Sequence, residues 1–491
     1  MGVVGVSVRF ACLSLSRIVG NKMDCWNYRI RTLAGSFLPY SLFTVASTEV
    51  KMTTKLQIDV FDAESNLYGR LIAVNEPVRG LLIYVCLGRV VNLGIGVIHS
   101  HPEGYRCLPS IVDDEMDEYF SSYFQELVGA RPYVSLIVGR HDGVTYLSGR
   151  VFWKNLWHTI DRFFVQAELV RREGEADRTV SPEYAEARAR LVSVLGKEAA
   201  TRLARSVVGI VGAGGTGSPV VELLARAGVG CLIVIDPDHL AKSNLERVHG
   251  SVPDDASAES LKVAIALRHV AQIAPSCEVI ALRGALPQAE IIDALMCADL
   301  VLGCTDQHHS RLALSDLSTR FLVPVIDTGA LAEGRDGRVT GLIMQIVRYC
   351  PDDPCAYCRR AIDAGRLSRE LMTPEERERR RKAAALAIGA GVDASGYWVE
   401  DSQLNTVGFL TSAVASIAAG YAIGYLTRRF EMPGSRLQAD LVAPNWTVDD
   451  FDRDADPNCQ CRRTRGRADQ TPVLISPPDH WPPVSRVVME S

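Results

Sequence analysis

Two short stretches of the sequence carry residues whose types and spacing suit chemistry. The first, IVGAGGTGSPVVELLARAGVGCLIVIDPDHLAKSNLER, runs from Ile210 to Arg247 and places a glycine-rich turn between an apolar strand and a helix. The second, IHSHPEGYRCLPSIVD, runs from Ile98 to Asp113 and carries two histidines and a carboxylate at metal-ligand spacing. We therefore expect one phosphate-binding turn and one metal site.

The glycines of the first stretch form a GxGGxG turn. Backbone N–H groups of such a turn, and the N-terminus of the helix after it, receive phosphate groups. Asp236, at the end of the next strand, is placed to hydrogen-bond a ribose hydroxyl. These features serve a nicotinamide dinucleotide as well as ATP, so a dehydrogenase is an alternative at this point. The four glycines are Gly212, Gly214, Gly215 and Gly217.

The residues after the turn favour adenylation over hydride transfer. A second acid, Asp238, is followed by Asn244 and Arg247, which lie near enough to act on one phosphate chain. Hydride transfer needs no such groups. An arginine, Lys262 and a metal-binding acid would spread the charge of a triphosphate while a carboxylate attacks its α-phosphorus. Asp306, in LGCTDQHHSR, ends a parallel strand at the carboxyl edge of the sheet, where ligands of such folds lie.

From about residue 181 to residue 463 the chain resembles the ThiF/MoeB family of adenylyltransferases, bacterial relatives of the ubiquitin-activating enzymes. The matching string is GxGGxG, then DxD, SNLxR, a lysine and CTD. The resemblance implies that ATP and Mg²⁺ are bound, with Asp236 on the ribose and Asp306 handling the magnesium. The residues that it implies for the phosphates are Asn244, Arg247 and Lys262.

The same resemblance implies a partner subunit. In that family an arginine before the first strand reaches the partner's ATP, and the nearest match is Arg188, with Arg190 as the rival. Relatives act as dimers, and the small-residue helix that begins at Gly408 is a candidate for such an interface.

Two close cysteine pairs predict a structural metal. Cys355 and Cys358 lie in DPCAYCRR, and Cys459 and Cys461 lie in DPNCQCRR. Four thiolates suit a tetrahedral Zn²⁺ site, with free thiols or a disulfide as alternatives. The family carries such a site as two CxxC pairs, whereas the second pair here is CxC. No cysteine lies within 359–458, so we expect an acyl adenylate without a thioester in that segment.

The histidine-rich stretch predicts a second zinc site. His99 and His101 alternate at the end of a strand and face the same side, and Asp113 follows a loop and one helical turn later. Two imidazoles and a carboxylate with an open fourth position suit zinc that activates water. The pattern HxHPx(n)SxxD resembles the JAMM (JAB/MPN) metalloproteases, which cleave after ubiquitin-like C-termini. The resemblance implies that His99, His101 and Asp113 are zinc ligands and that Ser110 supports the oxyanion.

The general base of those proteases is an upstream glutamate, and two residues compete for the role. Glu49 has the better spacing to His99, whereas Glu64, in ESNLYGRL, has the better flanking sequence. A metal-binding but inactive domain is the alternative to an active protease.

The alternation of strand and helix patterns divides the chain into five parts. These are a poorly defined N-terminal segment (1–52), a JAB/MPN-like domain (53–165), a linker (166–185), a ThiF-type domain (186–465) and a loose, Pro-rich tail (466–491). We expect an α/β protein whose C-terminal domain is a doubly wound, Rossmann-like parallel sheet with zinc-binding cysteines. The N-terminal domain is expected to be a smaller, mixed α/β, JAB-like fold.

Composition limits the partners. The net charge is −5 and the basic residues are scattered, so nucleic acid is not expected. Most of the 13 cysteines lie singly in apolar runs, which is typical of a cytoplasmic protein, and Cys304 is predicted to be a core residue. The uncharged stretch from Gly408 to Leu426 is barely hydrophobic, which favours a core or interface helix over a membrane span.

We therefore expect a fusion that adenylates the Gly-Gly C-terminus of a ubiquitin-like or sulfur-carrier protein and also removes or trims that modifier. One alternative is adenylation of a small molecule or short peptide. The other is a nucleotide-binding scaffold with an inactive JAB domain.

Overall fold

The computed structural model describes most of the C-terminal two thirds of the chain and separate segments before it. The described residues are 6–10, 55–62, 67–76, 81–83, 95–101, 106–128, 133–141, 144–153, 155–159, 162–165, 170–172, 186–296, 298–321, 323–350, 353–394, 405–443, 448–450, 456–465 and 474–488. The chain divides into two compact units, Met1–Asp177 with Arg467–Gln470, and Arg178–Gly466 with Thr471–Ser491.

The N-terminal unit is built on one large, mostly antiparallel sheet. Its strands run in the order β10-β7-β6-β5-β4-β3-β2-β1-β9, and β8 pairs with β7. Three pairs are parallel, namely β5 with β6, β1 with β9, and β7 with β10. The strands are β1 Val6–Phe10, β2 Lys55–Asp62, β3 Leu67–Glu76, β4 Leu81–Ile83, β5 Ile95–Ser100, β6 Tyr133–His141, β7 Val144–Trp153, β8 Leu156–Thr159, β9 Arg162–Val165 and β10 Val170–Arg172.

One helix, α1 (Ile111–Val128), packs on this sheet. Its Phe124 stacks on Tyr133 of β6 in a small aromatic core. The buried carboxylate of Asp117 accepts a hydrogen bond from the Tyr133 hydroxyl at 2.8 Å and pairs with the Arg150 guanidinium of β7 at 2.6 Å. A buried charge is tolerated when it is paired and hydrogen-bonded in this way. These contacts fix the helix that begins just after Ser110.

The C-terminal unit is built on a nine-stranded sheet in the order β18-β17-β16-β15-β14-β11-β12-β13-β19. The five central strands, β15-β14-β11-β12-β13, are parallel, and the strands outside them are antiparallel to their neighbours. The strands are β11 Val207–Val211, β12 Cys231–Ile235, β13 Glu278–Arg283, β14 Leu300–Gly303, β15 Val325–Arg335, β16 Arg338–Tyr349, β17 Arg436–Asp440, β18 Val448–Asp450 and β19 Ser485–Val487.

Helices connect the strands of this sheet and cover its faces. They are α2 Ala189–Leu195, α3 Lys197–Arg205, α4 Gly217–Ala227, a 3₁₀ turn Lys242–Asn244, α5 Pro253–Ser257, α6 Lys262–Ile273, α7 Ala289–Leu295, α8 His308–Phe321, α9 Ala364–Glu370, α10 Pro374–Gly389, α11 Gly408–Thr427 and α12 Cys461–Thr464. Strands such as β11 (VVGIV) and β14 (LVLG) are continuous apolar runs because helices cover both of their faces.

Helix α11 meets the length and composition of a membrane span, with a mean hydropathy of 1.5, and in the described part of the chain it alone does so. It packs against α4, α3, β15 and β16. Its Leu410, Val414, Ala418 and Ala422 are fully buried in the main hydrophobic core of the unit. The prediction of a core helix is therefore confirmed.

The predicted parallel sheet is present, but it is the centre of a larger mixed sheet. The expectation of a loose tail is wrong at its described end, because Ser485–Val487 forms an antiparallel edge strand on β13. The side chain of Gln288 also donates a hydrogen bond at 2.8 Å to the backbone oxygen of Pro482. Backbone pairing and this contact order a segment that has no apolar periodicity of its own.

Candidate functional site

The strand order places a crevice between the ends of β11 and β14. From β11 the chain builds the sheet through β12 and β13 in one direction, and it then returns to add β14 and β15 on the other side of β11. Such a reversal leaves a crevice outside the carboxyl ends of the two strands, where open α/β sheets bind ligands. The glycine turn follows β11, and the segment Cys304–Asp306 follows β14. The two sequence motifs therefore meet at one edge.

Two glycines of the turn are required by close backbone contacts. Gly212 has φ +97°, and a Cβ at this position would lie 2.6 Å from the backbone oxygen of Cys304. A Cβ on Gly217 would lie 1.7 Å from the backbone oxygen of Gly212. The turn thus holds β11, β14 and the start of α4 closer together than any side chain allows.

The tip of the turn is open. No described atom lies within 4 Å of a Cβ placed on Gly214. In the part of the chain that the structure describes, the backbone N–H groups of Gly214, Gly215 and Thr216 donate no hydrogen bond. These donors lie just before the N-terminus of α4, so they are suited to receive phosphate oxygens.

Asp236 links the turn to the next strand. Its Oδ2 accepts a hydrogen bond from Ala213 N at 2.7 Å, and its Oδ1 accepts one from Asp238 N at 2.8 Å. The ammonium of Lys262 lies 3.8 Å from Asp236 Oδ1 and donates to Asp238 Oδ2 at 2.8 Å. The arrangement brings an acid suited to a ribose and a cation suited to phosphates to the same side of the turn.

Charge pairing keeps Lys262 positive. Burial lowers the pKa of Lys262, but the carboxylates of Asp236 and Asp238 outweigh that effect, and the pKa lies above its usual value. Burial raises the pKa of Asp236, and Lys262 opposes the rise. An incoming triphosphate would therefore meet a charged ammonium group that is already paired with two carboxylates.

The segment after β12 places Arg247 beside the turn. A Cβ on Gly215 would lie 2.8 Å from Arg247 Cδ. The Arg247 guanidinium donates to the Ser243 backbone oxygen at 3.4 Å and pairs with Glu246 at 3.2 Å. The side-chain oxygen of Asn244 accepts from the Ala241 backbone N–H at 3.1 Å, so it caps the 3₁₀ turn. Arg247 therefore lies beside the glycine turn, and the side-chain oxygen of Asn244 is used within its own turn; their role at the phosphates stays a prediction.

Asp306 is exposed at the opposite wall of the crevice. Its backbone oxygen accepts a hydrogen bond from Arg366 of α9 at 3.0 Å. Behind it, Asp327 is buried at the end of the parallel part of β15, and burial raises its pKa to about 6, although Arg311 lies 3.6 Å away and opposes the rise. An exposed carboxylate at this edge has the donor chemistry that Mg²⁺ prefers.

Three further residues singled out from the sequence are Cys304, Arg188 and Arg190. Burial raises the pKa of the Cys304 thiol to about 12, as expected of a core residue rather than a nucleophile. Arg188 donates to the Ala225 backbone oxygen of its own chain at 3.4 Å, and Arg190 is exposed. Their predicted role at a partner's ATP stays a prediction.

The four predicted cysteines lie together. The Sγ atom of Cys355 lies 3.6 Å from the Sγ atom of Cys358 and 3.6 Å from that of Cys459. The Sγ atoms of Cys358 and Cys461 lie 3.8 Å apart. All four sulfur atoms lie within 4.8 Å of one another. Ligands about 2.3 Å from a tetrahedral zinc lie about 3.8 Å apart, so the cluster has the dimensions of such a site. Hydrogen bonds from neighbouring thiols outweigh burial and lower the pKa of Cys355 to about 5.

The position of the cysteines is fixed by Arg359, which is buried. Its guanidinium donates to the backbone oxygens of Pro354 at 2.8 Å, Arg348 at 2.9 Å and Ser435 at 3.1 Å. These bonds tie the turn that carries the first cysteine pair to the ends of β16 and β17.

Comparisons with known proteins agree with the geometry of this unit. The ThiF family model matches residues 186–462, which is more than half of the chain. The chain belongs to the ThiF family. The predicted ThiF-type fold and family are thereby confirmed for the C-terminal unit, and the match does not extend to the N-terminal unit.

Relatives in the ThiF family align over part of their length. The SAMP-activating enzyme E1 of Haloferax volcanii is 30% identical over 168 residues, which is 34% of this chain and 58% of that protein. The adenylyltransferase and sulfurtransferase MOCS3 of Drosophila willistoni is 31% identical over 163 residues, which is 33% of this chain and 34% of that protein. For uba4 of Aspergillus clavatus the identity is 32% over 174 residues, which is 34% of this chain and 35% of that protein. The chain therefore spans between a third and three fifths of these relatives.

Among solved structures, Escherichia coli MccB with ATP matches with a TM-score of 0.43 and 16% identity, over 56% of this chain and 74% of that chain. PaaA matches with a TM-score of 0.41 and 18% identity, over 57% of this chain and 86% of that chain.

The N-terminal unit brings three predicted site residues together outside the ThiF match. His101 Nδ1 lies 2.9 Å from the Arg106 backbone oxygen, and His101 Nε2 lies 3.3 Å from Asp113 Oδ2. The hydroxyl and N–H of Ser110 donate to the same Asp113 oxygen at 2.7 and 2.6 Å. Ser110 is thus committed to this carboxylate, and its oxyanion role stays a prediction.

The other predicted residues of this unit are not described in full. His99 lies at the penultimate position of β5, where its backbone alone is described. Glu49 and Glu64, the two candidate bases, lie outside the described residues.

One cluster near the nucleotide site was not predicted from the sequence. Glu222 of α4 accepts hydrogen bonds from His249 Nδ1 at 3.1 Å and His269 Nε2 at 3.2 Å. Burial raises the pKa of Glu222, but bonds from His249, Arg226 and His269 outweigh it and lower the pKa to about 2. The cluster ties α4 to α6 and to the segment that carries Arg247. Its residues follow no shared motif.

Proposed function

We propose that this chain uses ATP to adenylate the C-terminal carboxylate of a ubiquitin-like or sulfur-carrier protein. One observation carries the proposal: the open glycine turn, the Asp236–Lys262 pair and the exposed Asp306 share one edge of the sheet, at the point where the strand order reverses. Binding of a nicotinamide dinucleotide needs the glycine turn and Asp236, but it needs neither Lys262 nor Asp306.

Each element has a distinct role. The N–H groups of Gly214, Gly215 and Thr216 donate hydrogen bonds to phosphate oxygens. The Asp236 carboxylate accepts from the N–H groups of Ala213 and Asp238, and its remaining lone pairs accept hydrogen bonds from the ribose hydroxyls. Lys262, Arg247 and Asn244 are the proposed phosphate ligands. The substrate carboxylate attacks the α-phosphorus, a P–O bond to the acyl oxygen forms, and the bond to the β-phosphate breaks with release of pyrophosphate. Asp306 would hold Mg²⁺, which neutralises charge on the leaving pyrophosphate.

The substrate class is supported by the relatives. A SAMP-activating enzyme E1 and two adenylyltransferase and sulfurtransferase proteins are each similar to about a third of this chain. On this basis we propose that the substrate is a ubiquitin-like or sulfur-carrier protein with a Gly-Gly end, and that the acting form is a homodimer. Because 359–458 holds no cysteine and the Cys304 thiolate is disfavoured, we propose that the acyl adenylate is not converted to a thioester in that segment.

We propose that Cys355, Cys358, Cys459 and Cys461 hold a structural Zn²⁺. The separations of the four sulfur atoms support this. Zinc would cross-link the end of β16 to α12 and supply no step of the reaction. We propose a cytoplasmic location, because most of the 13 cysteines lie singly in apolar runs of the sequence.

For the N-terminal unit we propose a JAMM-type zinc site formed by His99, His101 and Asp113. If His101 Nδ1 donates to the Arg106 backbone oxygen, Nε2 turns a lone pair toward Asp113 Oδ2 at 3.3 Å. Two ligands about 2.0 Å from a tetrahedral zinc lie about 3.3 Å apart, so a cation fits between them. Peptide or isopeptide cleavage with Glu49 or Glu64 as base is the activity proposed for this site.

Pyrophosphate exchange tests the main proposal. The purified chain is incubated with ATP, Mg²⁺ and labelled pyrophosphate, and label in ATP is measured with a Gly-Gly protein, with small carboxylic acids and with no acceptor. Exchange that requires the Gly-Gly protein is expected. Exchange with small acids alone would indicate a small-molecule adenylase, and exchange in no case, with ATP still bound, would indicate a nucleotide-binding scaffold.

A further inference from the structure

The loop that carries Asp306 is held by an element more than fifty residues further along the chain. Between β14 and α8, Gln307 N–H donates to Thr305 Oγ1 at 3.1 Å, and Arg311 Nε of α8 donates to the Thr305 backbone oxygen at 3.4 Å. Further hydrogen bonds to the loop and to the start of α8 come from the segment 363–370, which follows the first cysteine pair. We call residues 363–370 the clamp segment.

Glu370 closes the far end of the loop. One carboxylate oxygen accepts from His308 N–H at 3.0 Å, and the other accepts from His309 N–H at 2.9 Å and from His309 Nδ1 at 3.0 Å. These backbone donors belong to the first turn of α8, which would otherwise attract an anion. Glu370 supplies that anion from within the protein. At the N-terminus of α4, by contrast, the N–H groups of Gly214, Gly215 and Thr216 donate no hydrogen bond within the described residues.

Arg366 holds the middle of the loop and also holds Glu370. Its Nη2 donates to the Asp306 backbone oxygen at 3.0 Å, and its Nε donates to Glu370 at 3.2 Å. At the start of the clamp segment, Asp363 N–H donates to His308 Nδ1 at 3.1 Å. The clamp segment thus contacts Asp306 in the loop and His308 and His309 at the start of α8.

The result is a loop with fixed backbone and one exposed acid. Within the described chain, the Asp306 carboxylate makes no hydrogen bond or ion pair. A ligand held by a loop binds a metal well only when the groups around it fix its position. The clamp segment supplies that support without contacting the nucleotide turn.

We propose that Glu370 and Arg366 are positioning residues that hold Asp306 for the magnesium–nucleotide complex. The inference rests on the proposed function and adds to it a role for the segment between the cysteine pairs. The first cysteine pair and the clamp segment are adjacent in sequence, so the cysteine cluster and the loop are linked through a short connection.

Two measurements on the full chain test this role. Hydrogen exchange without nucleotide reports the backbone of 305–311 in the wild type, Glu370→Ala and Glu370→Gln. ATP affinity is then measured with Mg²⁺ and with EDTA. Glu378→Ala is the matched control, because Glu378 lies exposed on α10 and contacts Lys382 of the same helix.

Glu370→Ala is expected to speed exchange in 305–311 about tenfold, because its capping bonds are lost. It is also expected to weaken ATP binding with Mg²⁺ about tenfold and to leave binding in EDTA within about twofold of the wild type. Glu370→Gln keeps one acceptor oxygen, so its exchange rate and its ATP affinity with Mg²⁺ should lie between those of the wild type and Glu370→Ala. Arg366→Met should repeat the pattern, and Arg366→Lys should restore part of it.

The possible outcomes distinguish a failure of the clamp or of its positioning role from a failure of the proposed function. Unchanged exchange in Glu370→Ala overturns the clamp. Faster exchange with an unchanged ratio of Mg²⁺ to EDTA affinity overturns the positioning role, as does an equal loss in both buffers. A folded wild-type chain that binds no ATP in either buffer overturns the proposed function and the magnesium role with it, whereas the exchange result does not depend on nucleotide.

Discussion

Two glycines of the nucleotide turn, Gly214 and Gly217, lie three residues apart and should respond to alanine in different ways. Gly217→Ala places a Cβ 1.7 Å from the backbone oxygen of Gly212 and 2.7 Å from its carbonyl carbon. Gly214→Ala places a Cβ with no described atom within 4 Å and at an ordinary φ. The first change should disturb the fold, and the second should disturb only what binds above the turn.

The size of the first effect follows from the distances. Contacts under 3.0 Å are essentially never seen for a real Cβ, so the Gly212 carbonyl must move by at least about 1.3 Å. Both partners are backbone, and Gly212 N–H is itself bonded to the Ile235 backbone oxygen at 2.7 Å, so no flexible side chain absorbs the shift. Overpacking of this kind costs about 3 kcal/mol, which exceeds the gain of about 1 kcal/mol that alanine brings to a helix. The net loss of about 2 kcal/mol should lower the melting temperature of a unit of this size by about 3 °C.

The effect of Gly214→Ala should appear in ATP affinity. A methyl group on Gly214 occupies the space above the open N–H groups, so ATP affinity should fall at least about tenfold with no change in melting temperature. Thermal unfolding and ATP titration of both variants give the comparison. A Gly214→Ala chain that binds ATP as the wild type does would place the phosphates elsewhere, and a Gly217→Ala chain with wild-type melting would contradict the packing argument.

Three further results are expected. Cys355→Ser should lose one zinc per chain by mass spectrometry, whereas Cys277→Ser, which alters a buried thiol outside the cluster, should lose none. Lys262→Met removes the cation that opposes the rise in the pKa of Asp236, so calorimetry should show ATP affinity about tenfold weaker and more dependent on pH in the acid range. The pKa of Glu222 is lowered from 4.5 to about 2, so its stabilisation is present above pH 4.5 and is lost as the pH falls toward 2. Urea unfolding of Glu222→Gln should show a loss of about 1 kcal/mol at pH 7, after allowance for solvent screening, and the difference from wild type should narrow below pH 4.5.

The sequence predicted the parts of the site that lie on regular elements. Buried parallel strands are continuous apolar runs, so β11, β12 and β14 could be found by pattern alone. The glycine turn, Asp236 and Asp306 each follow such a strand, and their meeting at one edge follows from parallel topology. The cysteine pairs were also found, because close pairs of thiols have few other uses in a protein of this kind.

The residues that support the site were not predicted, for a physical reason. Glu370 acts on His308 and His309 some sixty residues before it, and one carboxylate in a charged segment carries no signal of a distant partner. The tail strand Ser485–Val487 is too short for a period-two pattern and is ordered by the edge of β13. Both are contacts between segments far apart in sequence, which local propensity does not encode.

The cysteine cluster sets an order of events during synthesis. Its two halves are about a hundred residues apart, and the loop between them includes α11, which fills the main core. The ribosome must release Cys461 before four sulfur ligands exist, so full metal coordination follows the synthesis of α11. A nascent chain can therefore pack its core before it loads zinc, and closing so long a loop then removes conformational freedom that the unfolded chain would regain. Metal binding would then cross-link a unit whose core is already packed, and loss of the metal would remove the link between the end of β16 and α12.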